Sequence, residues 1–308
     1  MLKTFDEVVA KARELGKVVI SVAAAQDREV LGAIKAVAEA GLAGAILVGD
    51  AAPIRAIMAE VGLPADMQVI HEPEPRQAAL KAASLVRQGQ AQVLMKGLVN
   101  SGDFLKAVLN PEMGLRSGRL LSHFAAFEAP DGDKLIYHSD GGMNIAPNLE
   151  EKKEILANSL AALLALGIQK PKVAVLAANE VVNPKMPVTV DAQALAALHA
   201  AGERFAGSII EGPISMDVAL NPKAAQHKGI SSSVAGDVDL FLLPSIEAGN
   251  LLAKALIHYA KFKNAGVVVG ATHPVVMVSR ADSAEAKIHS IALACLLAAG
   301  AEQRKKGA

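Results

Sequence analysis

Tryptophan is absent from the 308 residues, aromatic side chains make up only 3%, and cysteine occurs once. So few rings argue against the stacking platforms that hold single-stranded nucleic acid. A lone cysteine excludes an intrachain disulfide framework. Cys295 falls within the apolar pattern of a late helix and reads as a small core residue rather than a nucleophile. Neither sign of charge is in excess, since 31 Lys and Arg balance 31 Asp and Glu. No global field then draws the chain to nucleic acid or an anionic membrane, and any anion site must be local. No stretch of 18 uninterrupted apolar residues occurs, and Met1–Leu15 is charged and amphipathic without a signal-peptide core. These features predict a reduced, cytoplasmic protein. Also missing are GxGxxG, Walker A, HExxH and any metal-spaced Cys/His cluster, and the eight histidines are scattered.

What is abundant is aliphatic. The chain is 52% hydrophobic and 20% charged, enough to bury a sizeable core and too apolar for disorder. Its length fits two α/β domains or one large one. A β-branched run at Val18–Val22 reads as a buried parallel strand, and Asp27 is placed to cap a helix over 28–40. The cycle repeats: strands at 45–48, 68–70 and 93–95 alternate with helices at 53–60, 75–87 and 101–109. Such alternation predicts a mostly parallel sheet covered on both faces. The rhythm breaks at Leu120, where strand-like runs 120–128 and 135–138 flank Pro130-Asp131-Gly132-Asp133, a strong turn signal for an antiparallel hairpin. A long amphipathic helix follows from Leu149 to Leu166. We place a domain boundary near residue 145, giving a first domain 1–145 and a second 146–282. The second half alternates again, with strands near 173–176, 209–210, 239–243, 267–269 and 275–278. Helices fall near 190–201 and 246–259, and a last one near 283–299 before a charged tail expected to fray.

Glycines, hydroxyls and charges gather where strands end and helices begin, the place where open α/β sheets bind ligands. Ser279 and Arg280 follow a strand and precede a helix start at Ser283, so their donors suit an anion such as phosphate. The bland alternative is that Ser283 merely caps that helix, with Glu285 in its first turn. Gly236 lies between strand-like pieces and could turn backbone N–H groups toward a ligand, with Asp237 beside it; an ordinary turn explains the same residues. Gly249 and Asn250 lie in the first turns of a helix, where Gly costs roughly 1 kcal/mol relative to Ala, so a close approach is expected there. Lys96 and Gly97 end a strand of the first half, where a solvated lysine is the plain reading. Spacing alone supports a phosphate-bearing ligand and leaves the reaction open.

Taken in order, the motifs Met95-Lys96-Gly97-Leu98, Ser101–Lys106, Ser139–Pro147, Glu211-Gly212-Pro213 with Asp217, Ser233–Asp237, Ala248-Gly249-Asn250 and Ser279-Arg280 resemble the phosphate acetyl/butyryltransferase family, closer to its butyryl branch. The resemblance implies an α/β, two-domain fold like isocitrate and isopropylmalate dehydrogenases. Mostly parallel sheets covered by helices would flank an interdomain cleft, the C-terminal helix 283–308 would return to the first domain, and the chain would form a homodimer. It implies reversible transfer between acyl-CoA plus phosphate and acyl phosphate plus CoA, with coenzyme A and phosphate as substrates, no permanent cofactor and no metal. Arg280 would hold phosphate and Ser279 would donate to the developing oxyanion. Lys96, Gly97, Asn144, Gly212, Pro213, Gly236, Asp237, Gly249, Asn250 and His258 would contact substrate or CoA. Ala286 stands where the acetyltransferase branch carries an aspartate base, leaving Glu285 and Asp282 as candidates. His258 stands where that branch has an arginine. Two other readings remain: a metal- and NAD-dependent decarboxylating dehydrogenase on the same fold, which would need more acidic ligands than Asp237 and Asp239, and a CoA-binding protein without turnover.

Overall fold

The structure, a computed structural model, describes residues 2–16, 18–278 and 282–307. The chain forms two compact units, one of 1–4 with 120–264 and one of 5–119 with 265–308. The expected boundary near 145 falls inside the first of these. The division comes at Leu120 because the hairpin beginning there pairs with strands of the 120–264 unit.

The 5–119 and 265–308 unit begins with α1 (Phe5–Arg13) and then β1 (Val19–Ala23), α2 (Arg28–Glu39), β2 (Gly44–Gly49), α3 (Ala51–Val61), β3 (Val69–His71), α4 (Pro75–Arg87), β4 (Val93–Lys96) and α5 (Ser101–Val108). It closes with β10 (Lys263–Val269), β11 (Val275–Val276) and α11 (Ala284–Gly307). Its strand order is β3-β2-β1-β4-β11-β10. Every pairing is parallel except β10 with β11, an antiparallel step that the sequence pattern did not separate from the rest. Local chemistry sets the helix starts as expected: Asp27 Oδ1 accepts from Val30 N at 3.0 Å, and Pro75 opens α4 behind the Glu74 cap.

α11 is the core helix of this unit. Ile291 through Ala298 are all buried, with Cys295 at 0% exposure. A helix apolar on every side belongs in an interior; by length and composition it could also cross a membrane, but 67% of that stretch is buried inside the protein. Burial pushes the Cys295 thiol up to about 12, so it is an inert core residue. His289 stacks on Phe5 with ring centroids 4.2 Å apart. The tail expected to fray instead continues the helix to Gly307.

The 120–264 unit holds β5 (Ser122–Glu128), β6 (Ile136–Ser139), α6 (Leu149–Ala165), β7 (Lys172–Leu176), α7 (Pro187–Ala200), β8 (Ile209–Ile214), α8 (Met216–Leu220), α9 (Pro222–His227), β9 (Leu240–Leu242) and α10 (Ile246–His258). Strand order is β5-β6-β9-β7-β8, with the expected β5–β6 antiparallel hairpin and parallel pairing elsewhere. β8 runs four residues past the expected end at Ile210, through Gly212 and Pro213, and α8 and α9 are short helices without a clear periodic signal. Buried Phe124, Phe127, Tyr137 and Phe241 concentrate nearly all the aromatic packing of this unit on β5, β6 and β9. Each such ring contributes about 1.5–3 kcal/mol on burial.

Candidate functional site

Because β6, β7, β8 and β9 are parallel, their carboxyl ends share one edge. Asp140 follows β6 there with 2% exposure. Its Oδ1 accepts from Gly142 N at 2.8 Å and Met143 N at 2.9 Å, and its Oδ2 from His123 N at 3.0 Å and Asn144 Nδ2 at 2.6 Å. Four donors replace a counter-ion, each hydrogen bond to a charged group contributing roughly 1.5–3 kcal/mol. The second Asn144 amide hydrogen goes to Leu121 O at 2.9 Å. Asn144 is among the expected substrate contacts, and its side chain can meet a ligand only as an acceptor through Oδ1.

Gly249 and the loop after β6 meet backbone to backbone. A Cβ on Gly249 would lie 2.6 Å from Gly141 Cα and 3.0 Å from Asp140 O, so the close approach expected from the sequence is made to the protein's own loop. Ser245 caps α10, and Ile246 N donates to Ile145 O at 2.9 Å, which locks the loop to the first turn of α10. Asn250 is exposed one residue on, and His258 is exposed at the far end of α10, about two turns further along. Gly212 and Pro213 lie near the carboxyl end of β8, where a Cβ on Gly212 would come within 2.7 Å of Val175 Cβ. Gly212 therefore lets β8 press on β7.

Beside them is a cluster the sequence reading missed. Glu180, in the loop after β7, accepts from the Ser215 hydroxyl, and Lys228 Nζ lies 3.1 Å from both Glu180 Oε1 and Asp217 Oδ2. Hydrogen bonding from Ser215 and then from Lys228 pulls Asp217 down to about 2. Only the Asp217 of the Glu-Gly-Pro motif hinted at it; Glu180 and Lys228 are 48 residues apart and carry no spacing signal.

Two expected ligand contacts fall elsewhere. Asp237 precedes β9 and accepts from Lys134 and Lys172, each at 2.7 Å, which together hold its carboxyl down at about 2. Lys134 and Lys172 stand at the starts of β6 and β7, so Asp237 belongs to the amino edge of the sheet, opposite Asn144. Asp239 is tied to Lys134 Nζ at 3.1 Å and to Lys172 N at 2.9 Å. Gly236 gives its N–H to Ala219 O at 2.8 Å, and with φ of 78° it sits against Pro222. That N–H is already bonded within the protein, so Gly236 makes the turn that the plain reading allowed.

The other unit carries its own group at a carboxyl edge. Lys96 ends β4 half-buried, and Gly97 packs so closely on β1 that a Cβ would lie 2.4 Å from Ala24 O. The Asn100 cap of α5 and Arg76 both bond Asp103, whose carboxyl is held below the usual range first by Asn100 and then by Arg76 and Lys106. β11 runs parallel to β4, so the chain leaves it at the edge that carries Lys96. Ser279 and Arg280 come next in sequence and lie outside the described residues. Beyond them Asp282 is half-buried, Ser283 Oγ accepts from Ala286 N at 3.1 Å, and Glu285 is 58% exposed on its side chain. Ser283 thus caps α11. Ala286 is 5% exposed, and the neighbouring buried Lys287 pairs with Glu29 at 3.1 Å.

Each edge thus offers backbone and polar side-chain groups of the kind that orient a large polar substrate. Asp282 and Glu285, the acidic residues that follow Ser279-Arg280 in sequence, are half-buried and exposed respectively. A family model described as phosphate acetyl/butaryl transferase matches residues 65–295. The chain is 45% identical to a phosphate butyryltransferase of Clostridium acetobutylicum, over 97% of this chain and 99% of that one. It is similar to the crystal structure of a branched-chain phosphotransacylase from Enterococcus faecalis, at a TM-score of 0.80 and 33% identity, covering 91% of this chain and 99% of that one. A 4-hydroxythreonine-4-phosphate dehydrogenase from Klebsiella pneumoniae shares the fold alone, at a TM-score of 0.59 and 15% identity over 92% of this chain and 99% of that one.

Proposed function

This chain belongs to the phosphate acetyl/butaryl transferase family, and on that premise we propose that it interconverts short-chain acyl-CoA plus phosphate with acyl phosphate plus CoA, butanoyl favoured over acetyl. The observation that carries the reading is the 45% identity over nearly the whole of both chains. Toward acyl-CoA, a carboxylate takes the CoA thiol proton, the thiolate adds to the acyl-phosphate carbonyl, and the C–O bond to phosphate breaks as the carbonyl reforms. In the other direction a phosphate oxygen adds to the thioester and the thiolate leaves, recovering the proton. Arg280 holds the phosphate, Ser279 donates to the oxyanion, and Asp282 or Glu285 is the base. Asn144, with Gly141 and Gly249 shaping the backbone beside it, contacts the CoA half. Lys96 and Gly97 in one unit, and Gly212, Pro213, Asn250 and His258 in the other, are further candidate substrate contacts. We also propose that the enzyme is a cytoplasmic homodimer with an isocitrate/isopropylmalate dehydrogenase-like arrangement and no permanent cofactor. A dehydrogenase reading loses its two candidate metal ligands, because Lys134 and Lys172 occupy Asp237 and Asp239.

The test follows thiol release from acetyl-, propanoyl- and butanoyl-CoA, with and without phosphate and with no added metal. Phosphate-dependent release, fastest with butanoyl-CoA, is expected. No release from a folded protein, with CoA binding retained in a titration, would leave the non-catalytic reading in its place. Arg280→Ala should lower turnover by more than about tenfold, the scale for losing a charge-stabilising donor, and raise the KM for phosphate. Wild-type kinetics in that variant would remove Arg280 from the site. Light scattering reads the dimer.

A further inference from the structure

We propose that Asp140 is a positioning residue that fixes Asn144 as a hydrogen-bond acceptor for an N–H group of the acyl-CoA. The inference rests on the acyltransferase reading above and adds the polarity of one contact and the residue that sets it.

An asparagine amide can ordinarily turn over and offer either face to a ligand. Asn144 cannot. Its Nδ2 lies 2.6 Å from the Asp140 carboxylate and 2.9 Å from the Leu121 carbonyl. Turning the amide would set Oδ1 against those two oxygens, exchanging two hydrogen bonds for two repulsive contacts. Among the described residues Oδ1 takes no hydrogen bond and is not one of the enclosed polar atoms, so it is open to a ligand. Asp140 is itself held in place. It is 2% exposed, and backbone N–H groups of His123, Gly142 and Met143 fill its remaining acceptor positions. Ser139 Oγ, one residue earlier, donates to His123 O at 2.9 Å and ties the same loop to β5.

A fixed acceptor beside a buried carboxylate disfavours phosphate, whose negative charge the carboxylate repels, and favours a neutral donor. An acyl-CoA carries such donors in two places, the amide N–H groups of the pantetheine arm and the amino group of adenine. Both are the same chemistry to Oδ1, and substrates with and without the nucleotide separate them.

Asn144→Ala, Asp140→Ala, Asp140→Asn and Asp140→Ala/Asn144→Ala are compared with wild type for butanoyl-CoA, butanoyl-pantetheine and phosphate. The expected result is a KM for thioester raised about tenfold in Asn144→Ala, the worth of one hydrogen bond, with KM for phosphate unchanged. Asp140→Ala should reproduce the thioester effect, and the double variant should add nothing to it, because Asp140 acts through Asn144. A loss seen with both thioesters assigns the donor to the pantetheine arm, and a loss seen only with butanoyl-CoA assigns it to adenine. The proposal is overturned if Asn144→Ala keeps the wild-type KM for both thioesters, or if its KM for phosphate rises instead. It is also overturned if the Asp140 variants fold but lose only kcat while KM for thioester stays fixed. Should neither Asp140 variant fold, Asn144→Ala alone decides, since its half-buried side chain can be truncated without opening the core. A wild-type enzyme that releases no thiol with phosphate would be the separate failure of the acyltransferase reading.

Discussion

Adding one methyl group at two helical glycines should move stability in opposite directions. Gly32 lies in the middle of α2, and a Cβ there would meet nothing within 4 Å. Gly32→Ala therefore gains helix propensity without a clash, about 0.5–1 kcal/mol. Gly249 in α10 gains the same propensity, but its Cβ would lie 2.6 Å from Gly141 Cα, 3.0 Å from Asp140 O and 2.8 Å from Leu243 Cδ1. The leucine methyl can rotate away. The other two atoms are backbone, in a loop held by the four hydrogen bonds to Asp140 and by Ile246 N on Ile145 O. Carbon atoms pack at roughly 3.5–4.0 Å, so the loop must retreat by about 1 Å. Forced overpacking costs typically 1–3 kcal/mol, and after subtracting the propensity gain a net loss of up to about 2.5 kcal/mol, centred on about 1 kcal/mol, remains. Urea unfolding followed by circular dichroism measures both variants, and thioester KM should rise only in Gly249→Ala. If Gly249→Ala is as stable as Gly32→Ala and binds thioester normally, the contact between Gly141 and Gly249 is not the constraint we take it to be.

The remaining expectations are simpler. Cys295, buried with its thiol pushed up to about 12, should not react with a thiol reagent in the native protein and should yield one equivalent on unfolding; native reaction would show that the α11 core opens. His138 lies between Phe127 and Phe241, and burial lowers it to about 3 from an ordinary 6.5. Between those values only the unfolded chain binds its proton, so stability falls as pH drops through that window, by up to roughly 1.4 kcal/mol per pH unit. His138→Leu should flatten the dependence of the urea midpoint on pH, and an unchanged slope would count against it. Glu285→Gln and Asp282→Asn, made singly, should identify the base by a fall in kcat of about 10²-fold, whereas full turnover in both would place the base elsewhere.

The α/β rhythm was legible because it depends on short-range patterning. β-branched runs, the Asp27 cap, Pro75 at a helix start and the turn at 130–133 each act within a few residues, and each element they announced is present. The family, too, was legible from motifs spread along the chain, since each motif is contiguous. α8 and α9 were missed because helices of five and six residues are too short to show a period. The extent of β8 was missed because Gly212 and Pro213 read as a stop, whereas the strand continues pressed on Val175.

The site divides along the same line. Sequence determined that Asn144 and Gly249 sit after a strand and at a helix start, because the order of elements fixes which edge of a parallel sheet a loop reaches. It could not determine what their atoms do. Gly249 approaches the loop after β6, not a ligand, and Asp237 is held between two lysines at the opposite edge. Asn144 is left with one open acceptor. Apart from the Asp140–Asn144 hydrogen bond, which spans four residues, those outcomes come from groups about 20 to 110 residues apart in the chain that fall within a few ångströms in space, and hydrogen bonding and van der Waals exclusion act only over that distance.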